Sequence, residues 1–363
     1  MRKFIYKTSF FFAPLILLYF ISLIFYSDTE SPDLLRIGYI PNIYNGYRTK
    51  FQLSKNEKFD KLSNNKKNKY KILTIGDSFS EQAGFGYKNM LANDFSVLHV
   101  DRFISNNQIQ TLINLANGDF FDTYNVEYVI LQNVERNIIN NAQNIRINDK
   151  IMLCEIDSLI FNHKIKEVDY SYNFFSKATI KFPLYHIPKF FIQKNYLSNE
   201  TVYNIELNSH FLFSNNSNKL LFYHKELKST DKNNVKENIE SLNILLNTIA
   251  QKLRQRNIKL IVLPTPDKYD LYYDYITEKK DFTKPIFFNL LKEKNKDYIY
   301  IDAKEILVSK IKNEQDIYFY DDTHWSPVAS KIIADNIKSE IVESDNKTNA
   351  QEELVKKAGS VLK

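Results

Sequence analysis

Cysteine is nearly missing from this chain of 363 residues. The single thiol, Cys154, rules out an internal disulfide and a multi-cysteine metal site. A lone thiol of this kind is expected to behave as a small buried apolar side chain. Glycine is scarce, with 7 in all, and no Gly-rich phosphate loop is formed. Five of the six histidines (His99, His163, His186, His210 and His224) show no metal-ligand spacing. No metal and no cofactor are therefore expected. Neither sign of charge dominates. The 49 Lys and Arg stand against 43 Asp and Glu, and most charge runs mix both signs, which argues against a nucleic-acid partner. What the chain has in quantity is aromatic: 27 Phe and 24 Tyr beside 1 Trp.

One long apolar run is present. Thr8 to Tyr26 reads TSFFFAPLILLYFISLIFY, free of charge and long enough to cross a bilayer. Arg2, Lys3 and Lys7 precede it; Asp28, Glu30 and Asp33 follow. This asymmetry predicts an inner-membrane anchor over residues 8–26, with the N-terminus inside and the body on the periplasmic side. A cleaved signal peptide is the rival reading. The run lacks a small-x-small cleavage site and is long for a signal, which favours the anchor.

The composition divides the rest. Residues 1–27 form the cytoplasmic tip and anchor, and the Pro-containing, then lysine-rich stretch 28–70 reads as a linker. A globular domain is expected over 71–342 and a polar tail over 343–363. Short apolar strands at 71–75, 95–100, 126–131, 258–263 and 298–301 alternate with helical patterns at 79–91, 109–116, 235–256, 303–311 and 326–341. That rhythm predicts an α/β fold with a doubly wound, mostly parallel sheet. It breaks at about 140–230, an aromatic-rich insertion containing Phe174, Phe175, Phe182, Phe190, Phe213 and Phe222. The insertion is expected to cover the active edge of the sheet, its aromatics either stacking on sugar rings or packing a small core of their own.

Two short motifs about 245 residues apart carry the chemistry. Ile-Gly-Asp-Ser-Phe-Ser at 75–80 delivers Ser78 from a strand end into a turn, at the carboxyl edge where open α/β sheets bind ligands. Ser78 is read either as a nucleophile or as a helix cap, with Ser80 a weaker nucleophile candidate. Asp77 is placed to hold the turn through local N–H groups. Tyr-Asp-Asp-Thr-His-Trp-Ser at 320–326 puts His324 just before a Pro-initiated helix, again at a strand's carboxyl end. A histidine titrates near neutrality and can exchange a proton with a serine. Asp322 and Asp321, two and three residues earlier, are alternative partners for the imidazole. Lys268, in Pro-Asp-Lys-Tyr after a strand, is read either as a site residue or as structure.

GDSFS followed by DDTHWS resembles the SGNH, or GDSL-type, hydrolase superfamily, and its His-Trp form is similar to the subgroup related to alginate O-acetyltransferases and other extracytoplasmic acyl-transfer proteins. VILQNVERN at 129–137 and PTPDKYDLYYDYI from Pro264 agree, so the resemblance spans about residues 70–340. It implies Ser78 as nucleophile, His324 as base and Asp322 as the orienting acid, with Asp321 the rival. The superfamily's oxyanion glycine is missing from Asp101 to Asn107, and Arg136 stands where its asparagine would be. Arg136, with Asp77, is accordingly assigned to the oxyanion or substrate side.

The resemblance implies a membrane-anchored serine O-acyltransferase or esterase acting on acetyl groups of an extracytoplasmic polysaccharide. It also implies a multi-pass, acyl-exporting membrane partner. A stand-alone lipase or esterase, and a non-catalytic glycan-binding scaffold, are the alternatives.

Overall fold

The apolar runs pair side by side in a computed structural model that describes residues 2–24, 33–34, 51, 56–64, 67–100, 102, 104–168, 177–188 and 201–361, with the side chains of 163–168, 177–178, 185–186 and 351–361 left out. Strands β1 (Asp60–Lys61), β2 (Lys69–Ile75), β3 (Val97–Val100) and β4 (Asn125–Val134) are joined by β7 (Lys259–Thr265) and β8 (Ile299–Tyr300). The order is β1-β3-β2-β4-β7-β8, and every pair is parallel. Leaving aside β1, this is the doubly wound order 2-1-3-4-5, whose ligands bind where the winding reverses, between β2 and β4. Strands β5 (Val202–Glu206) and β6 (Lys219–Tyr223) form a separate antiparallel ribbon.

Alternation along each strand feeds two cores, because successive side chains point to opposite faces. Ile72, Tyr128, Ile130, Ile261 and Leu263 pack with Leu307, Ile333 and Ile337 of the helices Ala303–Ile311 and Pro327–Val361. Leu73, Val129, Leu131, Leu260 and Val262 pack with Ile109, Leu112, Leu242 and Leu246 of the helices Gln108–Asn117 and Lys236–Arg254. Burying one such aliphatic side chain contributes about 1.5–3 kcal/mol.

Several expectations are corrected. The helix expected from Phe79 begins only at Tyr87; residues 78–80 turn, and Ala83–Phe85 form a single 3-10 turn. Ala83 has a left-handed backbone (φ 39°) that breaks any helix there. Parts of the expected 28–70 linker belong to the domain. Strand β1 pairs with β3, and the apolar Leu34, Phe59 and Leu62, all within the stretch expected as linker, are buried. The final helix does not stop near 341 but runs Pro327–Val361, so the start of the expected tail is built in. Asp345 reaches Lys71 (2.9 Å) and the Tyr128 hydroxyl (2.6 Å), and Lys259 reaches Ser344 and Thr348. Cys154 is exposed: the helix Leu153–Val168 turns Ile156 inward, and a residue two positions earlier faces away.

The helix Arg2–Leu23 holds an 18-residue apolar window (mean hydropathy 1.7) that is unburied, a candidate membrane anchor or signal. Within the insertion, Phe182, Phe213 and Phe222 join the main core beside Tyr269 and Tyr272 rather than forming one of their own. Phe174, Phe175 and Phe190 lie outside the described residues.

Candidate active site

Strand β2 ends at Ile75, and Gly76 begins the turn because no side chain fits there. A Cβ at Gly76 would lie 1.9 Å from Ser80 Oγ and 2.7 Å from Gln132 Oε1. Asp77 then locks the turn to β4. Its carboxylate accepts from the Phe79 N–H (3.0 Å) and the Val134 N–H (2.6 Å), while its own N–H donates to Gln132 (2.9 Å). Both oxygens of Asp77 are engaged by backbone, so its assignment to the oxyanion or substrate side is corrected to a turn role. Ser80 is fully buried against Tyr87 and Gln132, which removes it as a nucleophile. Ser78 remains, partly exposed at the carboxyl edge.

The second motif forms a pinned loop. An antiparallel bridge joins Tyr318 to Trp325, Phe319 N–H donates to the His324 carbonyl (3.1 Å), and Ser326 N–H to the Ile317 carbonyl (2.9 Å). Lys268 fills the loop from within. Its buried ammonium donates to the carbonyls of Phe319 (2.8 Å), Tyr320 (2.6 Å) and Asp322 (3.4 Å). Burial pushes that ammonium down to about 8, against the opposing charges of Glu226, Asp321 and Asp322. Gln82, whose chemistry no sequence pattern advertises, welds the two motifs together. Its amide donates to the Trp325 carbonyl (2.9 Å), and its oxygen accepts from Trp325 Nε1 (2.7 Å) and Ser330 Oγ (3.0 Å). Phe79 packs edge-on to Trp325 (5.3 Å) and tilted against His324 (4.8 Å).

This construction brings His324 Nε2 to 2.7 Å from Ser78 Oγ. On the other side of the ring, Nδ1 is 2.6 Å from Asp322 Oδ1, which also accepts the His324 N–H at 3.0 Å. An ionised carboxylate only accepts, so Nδ1 carries the proton and Nε2 faces the serine hydroxyl as acceptor. Burial pulls the imidazole pKa down, but the charge and hydrogen bond of Asp322 and the charge of Asp33 outweigh it, and the net direction is up. The backbone carbonyl of Asp321 accepts the Leu34 N–H at 3.2 Å.

Asp33 was not foreseen at the site. Its N–H donates to Asp322 Oδ2 (3.2 Å), and its carboxylate accepts from the N–H (2.7 Å) and hydroxyl of Thr323. Asp33, Asp322 and His324 hold ligand atoms within 4.8 Å of one another. The short Asp322–Nδ1 contact is that of a proton-bridged pair, so these residues read as a hydrogen-bonded chain rather than a metal centre.

Arg136 follows β4, near the site, with its guanidinium 5.9 Å above the Phe79 ring. It is paired with Asp267, and Glu226 lies 4.0 Å away. Behind it, burial raises Glu226 to about 8 and Asp267 to about 6.

Residues 217–361 match the family model of the SGNH hydrolase-like domain of acetyltransferase AlgX. That stretch is similar to the SGNH-like acetyltransferase family. The matched span holds Lys268, Asp322 and His324, whereas Ser78 lies upstream of it. The similarity supports an acyltransferase or hydrolase-like function. No curated protein and no solved structure matches the chain.

Proposed function

We propose that this protein is a membrane-anchored serine O-acyltransferase that moves acetyl groups onto an extracytoplasmic polysaccharide. The observation that carries the reading is the unbroken contact from Asp322 through His324 to Ser78, at 2.6 and 2.7 Å. A scaffold that merely kept the fold would have no need of it. The aspartate-to-serine order of contacts is that of an activated nucleophile.

In the first half-reaction His324 Nε2 takes the Ser78 hydroxyl proton as Oγ attacks the acyl carbonyl. The Ser78 N–H, which has no hydrogen-bond partner among the described residues, donates to the developing oxyanion. Arg136 adds positive field from behind Phe79. Collapse expels the donor's oxygen, which receives the proton from His324, and leaves acyl-Ser78. In the second half-reaction His324 deprotonates a sugar hydroxyl, which attacks the acyl-serine; Ser78 Oγ then leaves and takes the proton back from His324. Water in place of the sugar makes the same site an esterase.

The apolar helix Arg2–Leu23, with Arg2, Lys3 and Lys7 on one side and acidic residues on the other, supports an uncleaved anchor with the domain outside the cytoplasm. Acyl groups there must be delivered, so a multi-pass acyl-exporting membrane protein is the proposed partner. The test is acetyl release from p-nitrophenyl acetate by the detergent-solubilised full chain, with and without a hexose oligosaccharide, beside Ser78→Ala. Faster release with the acceptor and an acetylated oligosaccharide by mass spectrometry are expected. Equal rates for wild type and Ser78→Ala would overturn the nucleophile. Release that the acceptor does not accelerate would leave an esterase.

A further inference from the structure

We propose that Asp33 is a positioning residue of the Ser78–His324–Asp322 site, so that the segment following the apolar helix completes the site's acidic arm. The inference rests on the acyl-transfer reading of that site.

Asp33 and Leu34 reach a loop some 290 residues away in sequence and touch four consecutive members of it. Leu34, buried to 1% exposure, donates its N–H to the Asp321 carbonyl at 3.2 Å. The Asp33 N–H donates to Asp322 Oδ2, the oxygen that faces away from the imidazole. The Asp33 carboxylate accepts from the Thr323 N–H and hydroxyl, and its Oδ2 stands 3.8 Å from His324 Nδ1. Each contact has a separate consequence. Holding Oδ2 of Asp322 fixes the rotation of that carboxylate, and so keeps Oδ1 in line with Nδ1. Holding Thr323 fixes the backbone between the acid and the base. Burial, then the Asp322 charge, push the Asp33 carboxyl up, and once ionised it sets a second negative charge on the Nδ1 side that favours the imidazolium formed when Ser78 loses its proton.

The other charges around the ring are Asp322 in the same loop and Arg136 from the end of β4, the latter opposing the imidazolium. The Lys268 ammonium lies on the inner side of the loop, bound to its carbonyls. Replacing Asp33 with asparagine retains a side-chain acceptor for Thr323 but removes the charge. Replacing it with alanine removes both.

The experiment uses the full chain in detergent. The rate of p-nitrophenyl acetate turnover is measured against pH for wild type, Asp33→Asn and Asp33→Ala. His324 is titrated by NMR in each of the three on a Ser78→Ala background, where no turnover is needed. For Asp33→Asn the imidazole is expected to titrate at lower pH, the acid limb of kcat/KM to move with it, and kcat to fall about tenfold with KM unchanged, a fraction of the 10²–10⁴ that general-base catalysis supplies. Asp33→Ala should lose more. An imidazole titration identical in all three proteins would overturn the proposal, including the case in which Asp33→Ala only lowers the melting temperature. If the titration shifts but wild type never turns over an ester, Asp33 keeps its role and the acyl-transfer reading is what fails.

Discussion

Asp322 and Gln82 show how differently two residues can serve one histidine. Asp322 fixes the tautomer through a single short contact. Asp322→Asn can present an amide N–H to Nδ1 and favour the wrong tautomer, so kcat should fall about 10³–10⁴-fold with little change in melting temperature. Because the imidazole pKa is raised, the active neutral base is populated only above the ordinary value near 6.5. The rate should therefore drop as pH falls, with a midpoint above 6.5 in the wild-type profile. Gln82 acts by fixing Trp325 instead. Gln82→Ala leaves the Trp325 N–H and carbonyl and the Ser330 hydroxyl buried without it, which should cost about 2–3 kcal/mol in chemical denaturation and also slow turnover. The sequence made Ser78 and His324 legible because each sits at the end of an apolar strand-like run. The residues alone left Asp322 and Asp321 open, and only the family resemblance favoured Asp322, since one backbone rotation in a loop decides which carboxylate meets the ring.

At the scale of elements, the loop from Ile317 to Ser326 behaves as one rigid piece clamped from three directions. The Tyr318–Trp325 bridge closes its base, Lys268 binds its carbonyls from inside, and the β5–β6 region braces it through the Phe213–Tyr320 ring contact at 5.2 Å. Lys268→Met removes the charge and three donations to buried carbonyls, so a loss of about 3 kcal/mol is expected from thermal or urea unfolding. The parallel strands were legible because their alternation and apolar content are local properties. The Lys268 clamp was not, because a lysine after a strand reads equally as a site residue or as structure until the loop it enters is known. The same holds for Asp33 and Leu34: an acidic residue in a polar stretch carries no sign of a partner so far along the chain. The missed break at Ala83 has a further reason. Gln82 must turn toward Trp325, and that tertiary demand overrides the helical pattern of 79–91.

For the molecule as a whole, buried acids behind the sheet edge set the response to pH. Glu226 is fully buried, and its carboxyl stays protonated in the fold up to about 8, whereas in the unfolded chain it ionises near 4.5. Between those values the native state binds more protons than the unfolded state, so stability falls as pH rises, by at most about 1.4 kcal/mol per pH unit for this group. Asp267, raised to about 6, acts in the same direction. Urea midpoints measured from pH 5 to pH 8 should decline, and Glu226→Gln should flatten that decline. An unchanged slope in the variant would place the effect elsewhere.

The position of Asp33 in the sequence also sets a working distance. Ten residue steps separate it from Leu23, where the apolar helix ends. Fully extended, ten steps cover about 35 Å. With the helix in a bilayer, His324 and Ser78 are then confined to a thin zone above the lipid headgroups. On the proposed acyl-transfer reading, an acyl group delivered through the membrane would meet them at once, whereas a polymer chain would have to pass close to the surface to be modified.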